Sequence, residues 1–300
     1  MVDVVVIGGG AAGLNAALVL ARARRRVLVV DSGEPRNAPA EHLHGFLSRD
    51  GESPAELLAI GRREVLGYGV EIRTGTVASA EPAPDGFAVL VDGDPVSARR
   101  LVVATGLRDV LPELPGLREV WGSDVHLCPY CHGYEVRDQP LGVLGSGPKS
   151  VHQALLLSQW SPDVLLFADG IELTDTDRAK LAARDVKIVD GAVTGLVVEA
   201  GRLRGVALGD HLVDRAALFV GPALLPGDDV LTGLGCVRGN GGFVPVDPTG
   251  RTEVAGVWAV GNVVDPSASL INAASAGSRA AMMINMDLLE EDALSASLAR

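Results

Sequence analysis

The chain has 300 residues, of which 47% are apolar and only 4% are aromatic, and its formal charge is −12 at pH 7. This length exceeds what one hydrophobic core usually organises and predicts two domains, while the acidic balance argues against nucleic acid as a partner. The abundance of glycine, 37 residues, favours an α/β fold with parallel strands over an antiparallel sandwich.

The first predicted elements are a buried strand, a glycine turn, a helix and a second strand. Residues 4–7 and 27–30 are continuous apolar runs, and residues 14–24 carry apolar side chains at helical spacing. The segment 2–21 has no basic leading residues and contains three adjacent glycines, so neither an export signal nor a membrane helix is expected. With only three cysteines, the chain is expected in a reducing compartment, the cytoplasm.

The turn of this βαβ unit has the spacing of a dinucleotide-binding motif. Gly8, Gly10 and Gly13 form GxGxxG, which lets the backbone approach a pyrophosphate at the N-terminus of the helix. Asp31 ends the second strand, where its carboxylate can accept hydrogen bonds from a ribose hydroxyl pair. The unit predicts a bound dinucleotide, and by itself it does not choose between FAD and NAD.

The next elements lead to a connection between domains. The apolar pattern predicts one helix and three strands here, at residues 53–66, 70–74, 87–91 and 101–103. Ala104-Thr105-Gly106 closes the last strand, and Pro112 and Pro115 mark the connection. His42 and His44 lie in a loop, where they are either exposed loop residues, the commoner case, or part of a substrate pocket.

A dithiol motif follows, at Cys128-Pro129-Tyr130-Cys131-His132-Gly133-Tyr134-Glu135. Two thiols at this spacing can form a disulfide and thereby take up or release two electrons. A zinc site needs about four ligands, and the chain has neither a second CxxC nor an HxxxH, so no metal is expected. Cys236 stands alone and is interpreted as a small buried residue.

The local pattern favours a reactive thiolate in this motif. Pro129 suits the first position of a helix, which makes Cys128 its cap and places Cys131 in the first turn. Free N–H groups there favour thiolate over thiol, as does a protonated neighbouring imidazole. An unperturbed imidazole titrates near pH ~6.5, so His132 is the candidate acid/base, the alternative being a packing or capping histidine.

A second βαβ unit follows at residues 141–167. Its turn, Gly145-Ser146-Gly147-Pro148-Lys149-Ser150, has Ser150 in place of the third glycine. The strand at 164–167 leads into Ala168-Asp169-Gly170, with no basic residue to receive a 2′-phosphate. The sequence leaves open whether this domain binds a nicotinamide nucleotide, and it disfavours NADPH.

The rest of the chain predicts a return to the first domain. Short strands are expected around 193–199, 203–208 and 217–220, a second connection at 221–227, and a helix of small residues over 272–289. Residues 1–112 and 236–300 would then form one discontinuous dinucleotide-binding domain. Residues 113–235, with the CxxC, would form an inserted NAD(P)-binding-like domain.

Together these motifs resemble the low-molecular-weight thioredoxin reductase family of flavoproteins over nearly the whole chain. The resemblance rests on the first glycine turn, Ala104-Thr105-Gly106, the CxxC, the second glycine turn and the tail around Gly261-Asn262. It implies two Rossmann-like, three-layer nucleotide-binding domains, the second inserted into the first, with FAD in the first, and a homodimer. In the tail, Asn262 replaces the family's Asp and Ala268-Ser269 its Arg-Gln pair, so Gly261, Asn262 and Ser269 are the expected flavin-side residues.

The positions at which this chain departs from the family resemble the corresponding positions in one of its branches. The residue after the second cysteine is His132 rather than Asp, and the basic NADPH cluster is missing. Both features resemble the dithiol oxidases that close the disulfides of gliotoxin and holomycin and return electrons to O2. The resemblance implies that Cys128 exchanges with a small-molecule or peptide dithiol, and that Cys131 is the thiol nearer the flavin.

Two other functions stay open. A reductase of thioredoxin reductase type would draw electrons from NAD(P)H or a protein donor through the same groups. A non-enzymatic flavoprotein redox sensor would couple the state of Cys128/Cys131 to a partner, although no effector segment is recognisable. The sequence favours an FAD-dependent thiol/disulfide oxidoreductase that oxidises dithiols.

Overall fold

The computed structural model describes residues 1–299, which form two compact units. The first unit comprises Met1–Ala38, Ala55–Arg108 and the described chain from Leu224 onward, and the second comprises Pro39–Pro54 and Asp109–Ala223. From the sequence, the domain boundaries were predicted after residues 112 and 235, and residues 39–54 were assigned to the first domain. In the structure, that loop belongs to the unit that carries the dithiol.

Both units contain strands and helices. In chain order the strands are β1 (Val2–Ile7), β2 (Val27–Asp31), β3 (Glu71–Thr74), β4 (Val77–Ala83), β5 (Gly86–Val91), β6 (Asp94–Val103), β7 (Leu107–Val110), β8 (Val125–His126), β9 (Leu141–Leu144), β10 (Val164–Phe167), β11 (Lys187–Val189), β12 (Gly195–Glu199), β13 (Arg202–Leu208), β14 (His211–Asp214), β15 (Ala217–Phe219), β16 (Ala223–Pro226) and β17 (Val257–Ala259). The helices are α1 (Ala11–Arg22), α2 (Pro54–Gly67), α3 (Pro129–His132), α4 (Lys149–Leu157), α5 (Asp175–Ala182), α6 (Asp229–Gly233) and α7 (Leu270–Leu298).

The first unit is built on a seven-stranded sheet in the order β3-β2-β1-β6-β5-β4, with β17 beside β6. β1 pairs in parallel with β2 and β6, so Val4 lies opposite Val27 and Arg100. Its side chains alternate between two cores: Val4 packs on the side of α1 and α7, and Val5 on the side of β5. This alternation produces layers on both faces of the sheet.

The second unit has a five-stranded parallel sheet in the order β11-β10-β9-β15-β8 and an antiparallel sheet β12-β13-β14. Leu166 packs with Leu157 of α4 on one face, and Phe167 packs with Val206 of β13 on the other. The unit is therefore also layered, and the predicted α/β class with two Rossmann-like units is confirmed.

Helix α7 continues well beyond the predicted end at residue 289. Its later turns are held by ion pairs, since Asp292 lies 2.6 Å from both Arg25 and Arg99. Such long-range pairs leave no mark in the local apolar pattern. Within residues 1–299, no helix combines the length and the apolar character that a membrane span requires.

Candidate active site

The dithiol lies on α3, a helix of four residues in the second unit. Cys128 caps it with an extended backbone and Pro129 takes the first position, as predicted. The N–H groups of Cys131 and His132 both donate to the Cys128 carbonyl, at 3.1 and 3.2 Å. Cys128 and Cys131 are joined in a disulfide with their Cα atoms 5.3 Å apart. Because α3 is a single turn, its dipole contributes less to thiolate stability than the sequence suggested.

His132 follows the disulfide directly and is half-buried. Burial lowers the pKa of His132; the Glu135 carboxylate opposes this shift and His44 adds to it. The net result is a pKa below the ordinary value of 6.5, so the imidazole is neutral near pH 7. A neutral imidazole beside a disulfide can accept the proton of an incoming thiol.

A second histidine lies under the ring of His132. The two ring centroids of His126 and His132 are 4.3 Å apart and the planes differ by 18°, which is a stacked arrangement. His126 is 5% exposed, and burial, with His132 adding to it and Asp124 opposing it, lowers its pKa to about 3. Sequence reasoning missed His126, although a histidine in the apolar run before Cys128 was the available signal.

Asp124 anchors the strand that leads to the dithiol. Its carboxylate accepts hydrogen bonds from Arg202 Nε and Nη2 and from the Leu203 N–H, each at 2.8 Å. Burial acts to raise the pKa of Asp124, but the Arg202 and Leu203 hydrogen bonds outweigh it and the net shift is downward. The ionised carboxylate therefore ties β8 to β13.

His44 reaches the dithiol segment from the loop 39–54. Its Nδ1 lies 3.5 Å from Asp50 Oδ2 and its Nε2 lies 3.4 Å from Glu135 Oε1. Nothing in the sequence pattern associates Glu135 with a loop so distant along the chain. His42, two residues away, has a half-exposed side chain and lies 3.7 Å from Glu41 instead. Of the two loop histidines, His44 therefore contacts the dithiol segment, and His42 pairs with its neighbour in the loop.

The first glycine turn fits a dinucleotide. A Cβ at Gly8, where φ is +105°, would lie 2.4 Å from the Ala104 carbonyl oxygen, and one at Gly13 would lie 1.9 Å from the Gly8 carbonyl oxygen. At Gly10, by contrast, a Cβ would meet nothing within 4 Å. Gly10 caps α1, and a glycine has no side chain that could accept a hydrogen bond from the first N–H groups of the helix. This cradle suits a pyrophosphate.

Asp31 lies beside the same turn. Its Oδ1 accepts the Gly9 N–H at 2.9 Å, and its Oδ2 pairs with Arg62 Nη2 at 2.6 Å. The carboxylate therefore braces the glycine turn as well as standing where a ribose is expected. Arg62, on α2, is a partner that the sequence did not suggest.

The three tail residues expected on the flavin side lie between β17 and α7. Gly261, with φ of +75°, lies against α1, since a Cβ there would be 3.0 Å from the Ala12 Cβ. The Asn262 amide donates to the carbonyl oxygens of Asp265 and Ala268 at 2.9 and 3.0 Å, and its Oδ1 accepts from Arg36 at 3.3 Å. Ser269 caps α7 and is exposed. Asn262 thus shapes the segment that presents Ser269.

The second glycine turn differs from the first. The Ser150 hydroxyl accepts the Ser146 N–H at 3.0 Å and donates to the Leu144 carbonyl at 3.3 Å, so a side chain fills the turn. Asp169, after β10, accepts the Val193 N–H at 2.8 Å. Asp169 thus holds the backbone of its own unit, as Asp31 does in the first unit, and the difference between the two turns lies at Ser150.

Comparisons with known proteins agree with this geometry. A family model described as pyridine nucleotide-disulphide oxidoreductase matches residues 2–278, and this family implies FAD binding. "Thioredoxin reductase tcpT" of Claviceps purpurea is 31% identical, over 97% of this chain and 95% of its own length.

Solved structures show the same relationship. The crystal structure of HlmI is 57% identical with a TM-score of 0.97, covering 99% of this chain and 96% of that one. A putative thioredoxin reductase TrxB from Bacillus anthracis is 34% identical with a TM-score of 0.92, covering 97% of this chain and 100% of that one. The predicted thioredoxin reductase-like resemblance is confirmed. The chain belongs to the pyridine nucleotide-disulphide oxidoreductase family and is an oxidoreductase of its thioredoxin reductase-like type.

Proposed function

We propose that the chain is an FAD-dependent oxidase that converts a small-molecule or peptide dithiol into a disulfide, with O2 as electron acceptor. The observation that carries the proposal is the neutral, half-buried His132 directly behind the Cys128–Cys131 disulfide. A reductase that receives its electrons from a nucleotide needs a working second glycine turn, whereas the turn here is filled by Ser150. The dithiol is therefore the better electron source.

The residues of the second unit supply the thiol chemistry. His132 takes the proton of a substrate thiol, and the resulting thiolate attacks Cys128, which breaks the bond to Cys131. The second substrate thiol then attacks the mixed disulfide, so the substrate leaves as a disulfide and both cysteines are reduced. Two electrons have moved from the substrate to the Cys128/Cys131 pair.

FAD, when bound, would supply the two-electron acceptor for the reduced Cys128/Cys131 pair and the route from there to O2, with hydrogen peroxide as the product. In the first unit, Gly8, Gly10, Gly13 and the start of α1 would hold its pyrophosphate and Asp31 its ribose. The segment from Gly261 to Ser269 would lie on the flavin side, as the family resemblance implies.

One experiment tests the direction of electron flow. The purified yellow protein is mixed anaerobically with dithiothreitol, NADH or NADPH, and bleaching of the flavin is followed. Dithiothreitol should bleach the flavin and admission of air should then release peroxide, whereas NADPH should not bleach it. Fast bleaching by NADPH would favour the reductase alternative, which the names of relatives such as thioredoxin reductase tcpT support.

Cysteine variants test the electron path. Cys131→Ser should abolish bleaching by dithiol while FAD stays bound, because the glycine turn is untouched. Cys236→Ser is the matched control, since Cys236 is a buried free thiol in the first unit. Bleaching that survives Cys131→Ser would contradict the proposed path.

The family resemblance also leads us to propose a homodimer, and the low number of cysteines leads us to propose a cytoplasmic location. Light scattering on a sizing column measures the mass directly. A mass of one 31.0 kDa chain would contradict the dimer.

A further inference from the structure

The loop 39–54 is an ordered part of the dithiol unit. Leu43 is buried, its N–H donates to the Glu52 carbonyl at 2.8 Å, and its own carbonyl accepts the Gly51 N–H at 2.9 Å. These two hydrogen bonds close the loop next to His44. The imidazole is consequently held at a defined place beside the dithiol segment.

His44 lies between two carboxylates. Its two ring nitrogens are 3.4 Å from Glu135 Oε1 and 3.5 Å from Asp50 Oδ2, and its side chain is only 20% exposed. The Gly45 N–H, and after it His44, lower the pKa of Asp50, whose side chain is 65% exposed. An imidazole can receive a proton on one nitrogen and release one from the other, so this position suits proton transfer.

The imidazole stacked on His132 offers no comparable route. His126 is buried, with no hydrogen-bond partner for Nδ1 among the residues that the structure describes. A buried imidazole of this kind stays neutral and passes no proton to solvent. The groups that act electrostatically on His132 and that could accept its proton are Glu135 and then His44.

We propose that His44 is a relay residue that carries the substrate proton away from His132 by way of Glu135 and releases it to solvent at Asp50. The inference rests on the proposed function and deepens it, because oxidation of a dithiol to a disulfide frees two electrons and two protons. The S–H bond breaks as an N–H bond forms on His132. The electron pair goes to the Cys128–Cys131 disulfide and finally to O2, which takes up two protons from solvent as it becomes hydrogen peroxide. Each of the two thiol protons moves from His132 to the Glu135 carboxylate, to His44 and out to solvent.

The test compares His44→Gln with His42→Gln, a matched change in the same loop at the exposed histidine. Both full-length FAD-loaded variants are mixed anaerobically with dithiothreitol in dilute buffer. Flavin bleaching is recorded, and the thiols of Cys128 and Cys131 are counted by quenched alkylation and mass spectrometry. His44→Gln should reduce both rates about 10-fold, a modest part of the effect of general acid–base catalysis, and His42→Gln should match the unaltered protein.

Added imidazole decides whether the role is proton transfer. A small base should restore both rates of His44→Gln in a concentration-dependent way, which a merely structural defect would not show. Glu135→Gln should be slowed and rescued by imidazole in the same way. It takes the place of His44→Gln in the test if His44→Gln does not bind FAD or does not keep the circular dichroism spectrum of the unaltered protein. The relay is overturned if His44→Gln reacts at the rate of the unaltered protein in dilute buffer. It is also overturned if His44→Gln reacts slowly and added imidazole does not raise its rate. If dithiothreitol fails to bleach even the unaltered protein, the proposed function fails first and the relay with it.

Discussion

His132 illustrates how one buried side chain sets the conditions for thiol chemistry. Its pKa lies below 6.5 because burial disfavours the imidazolium, and the neutral His126 ring stacked on it keeps water away from one face. A base works only when it is deprotonated. The rate of thiol attack should therefore hold at mildly acidic pH and fall only below the ordinary imidazole range.

His132→Asn should lower the rate of dithiol-driven flavin reduction about 100-fold and remove the acidic limb of its pH profile. In the unaltered protein that limb should lie below pH ~6.5, since the shift is downward. Stopped-flow reduction between mildly acidic and neutral pH measures both. His152→Gln, at an exposed position of α4, is the control and should leave the profile unchanged. A limb above pH 7 would contradict the assignment.

Two glycines of the first turn should separate folding from cofactor binding. Gly13→Ala places a methyl group 1.9 Å from the Gly8 carbonyl oxygen, so it should destabilise even the FAD-free protein by about 1–3 kcal/mol. Gly10→Ala meets nothing within 4 Å and should leave the FAD-free protein nearly as stable, while its methyl group occupies the cradle and weakens FAD binding. Thermal unfolding without FAD, and FAD titration, measure the two effects. Equal FAD affinity in Gly10→Ala and the unaltered protein would contradict the placement of the pyrophosphate.

Among the elements, α7 depends most on distant partners. Arg99 on β6 is 13% exposed and lies 2.7 Å from Glu291 and 2.6 Å from Asp292, while Arg100 pairs with Asp287 at 2.6 Å. Arg25 and then Arg99 lower the pKa of Asp292. Because the folded pKa is the lower one, this contribution is present above the unfolded value near ~3.9 and is lost as pH falls through the folded value.

Arg99→Gln should therefore loosen the end of α7. We expect the free energy of unfolding to fall by about 2 kcal/mol, which lies between the values typical of exposed and of buried ion pairs. Backbone hydrogen exchange after Asp287 should become faster. Arg73→Gln is the matched control, because Arg73 pairs with Glu71 on the surface and should change stability by less than about 0.5 kcal/mol. Equal effects of the two variants on exchange in α7 would show that the ion pairs do not hold the helix.

The same elements show which features a sequence can predict. β9 and β10 are central parallel strands, buried on both faces, so their apolar runs matched the observed bounds. β4 and β14 are antiparallel and partly exposed, and their mixed composition concealed them. The dithiol, His132 and the glycine turns were evident from local spacing. The contacts of His44 and Arg62 were not, because their partners Glu135 and Asp31 are distant in sequence.

At the scale of the whole molecule, each unit has hydrophobic cores of its own. In the first unit, one core joins β1, α1 and α7, and the other joins β1, β5 and β6. In the second unit, one core joins the parallel sheet with β12 and β13, and the other joins it with α4. Among residues 1–299, each of these clusters of buried residues has all its members in one unit. Each unit should therefore unfold with its own free energy.

Removal of FAD tests this independence. A ligand at 100 times its dissociation constant stabilises the state that binds it by about 2.7 kcal/mol, and the residues proposed to bind FAD lie in the first unit. Hydrogen exchange with and without FAD should show β1 and α1 losing protection, while the buried strands β9 and β10 keep theirs. If β9 and β10 lose protection to the same extent, the two units unfold together, and the separation of their cores does not govern stability.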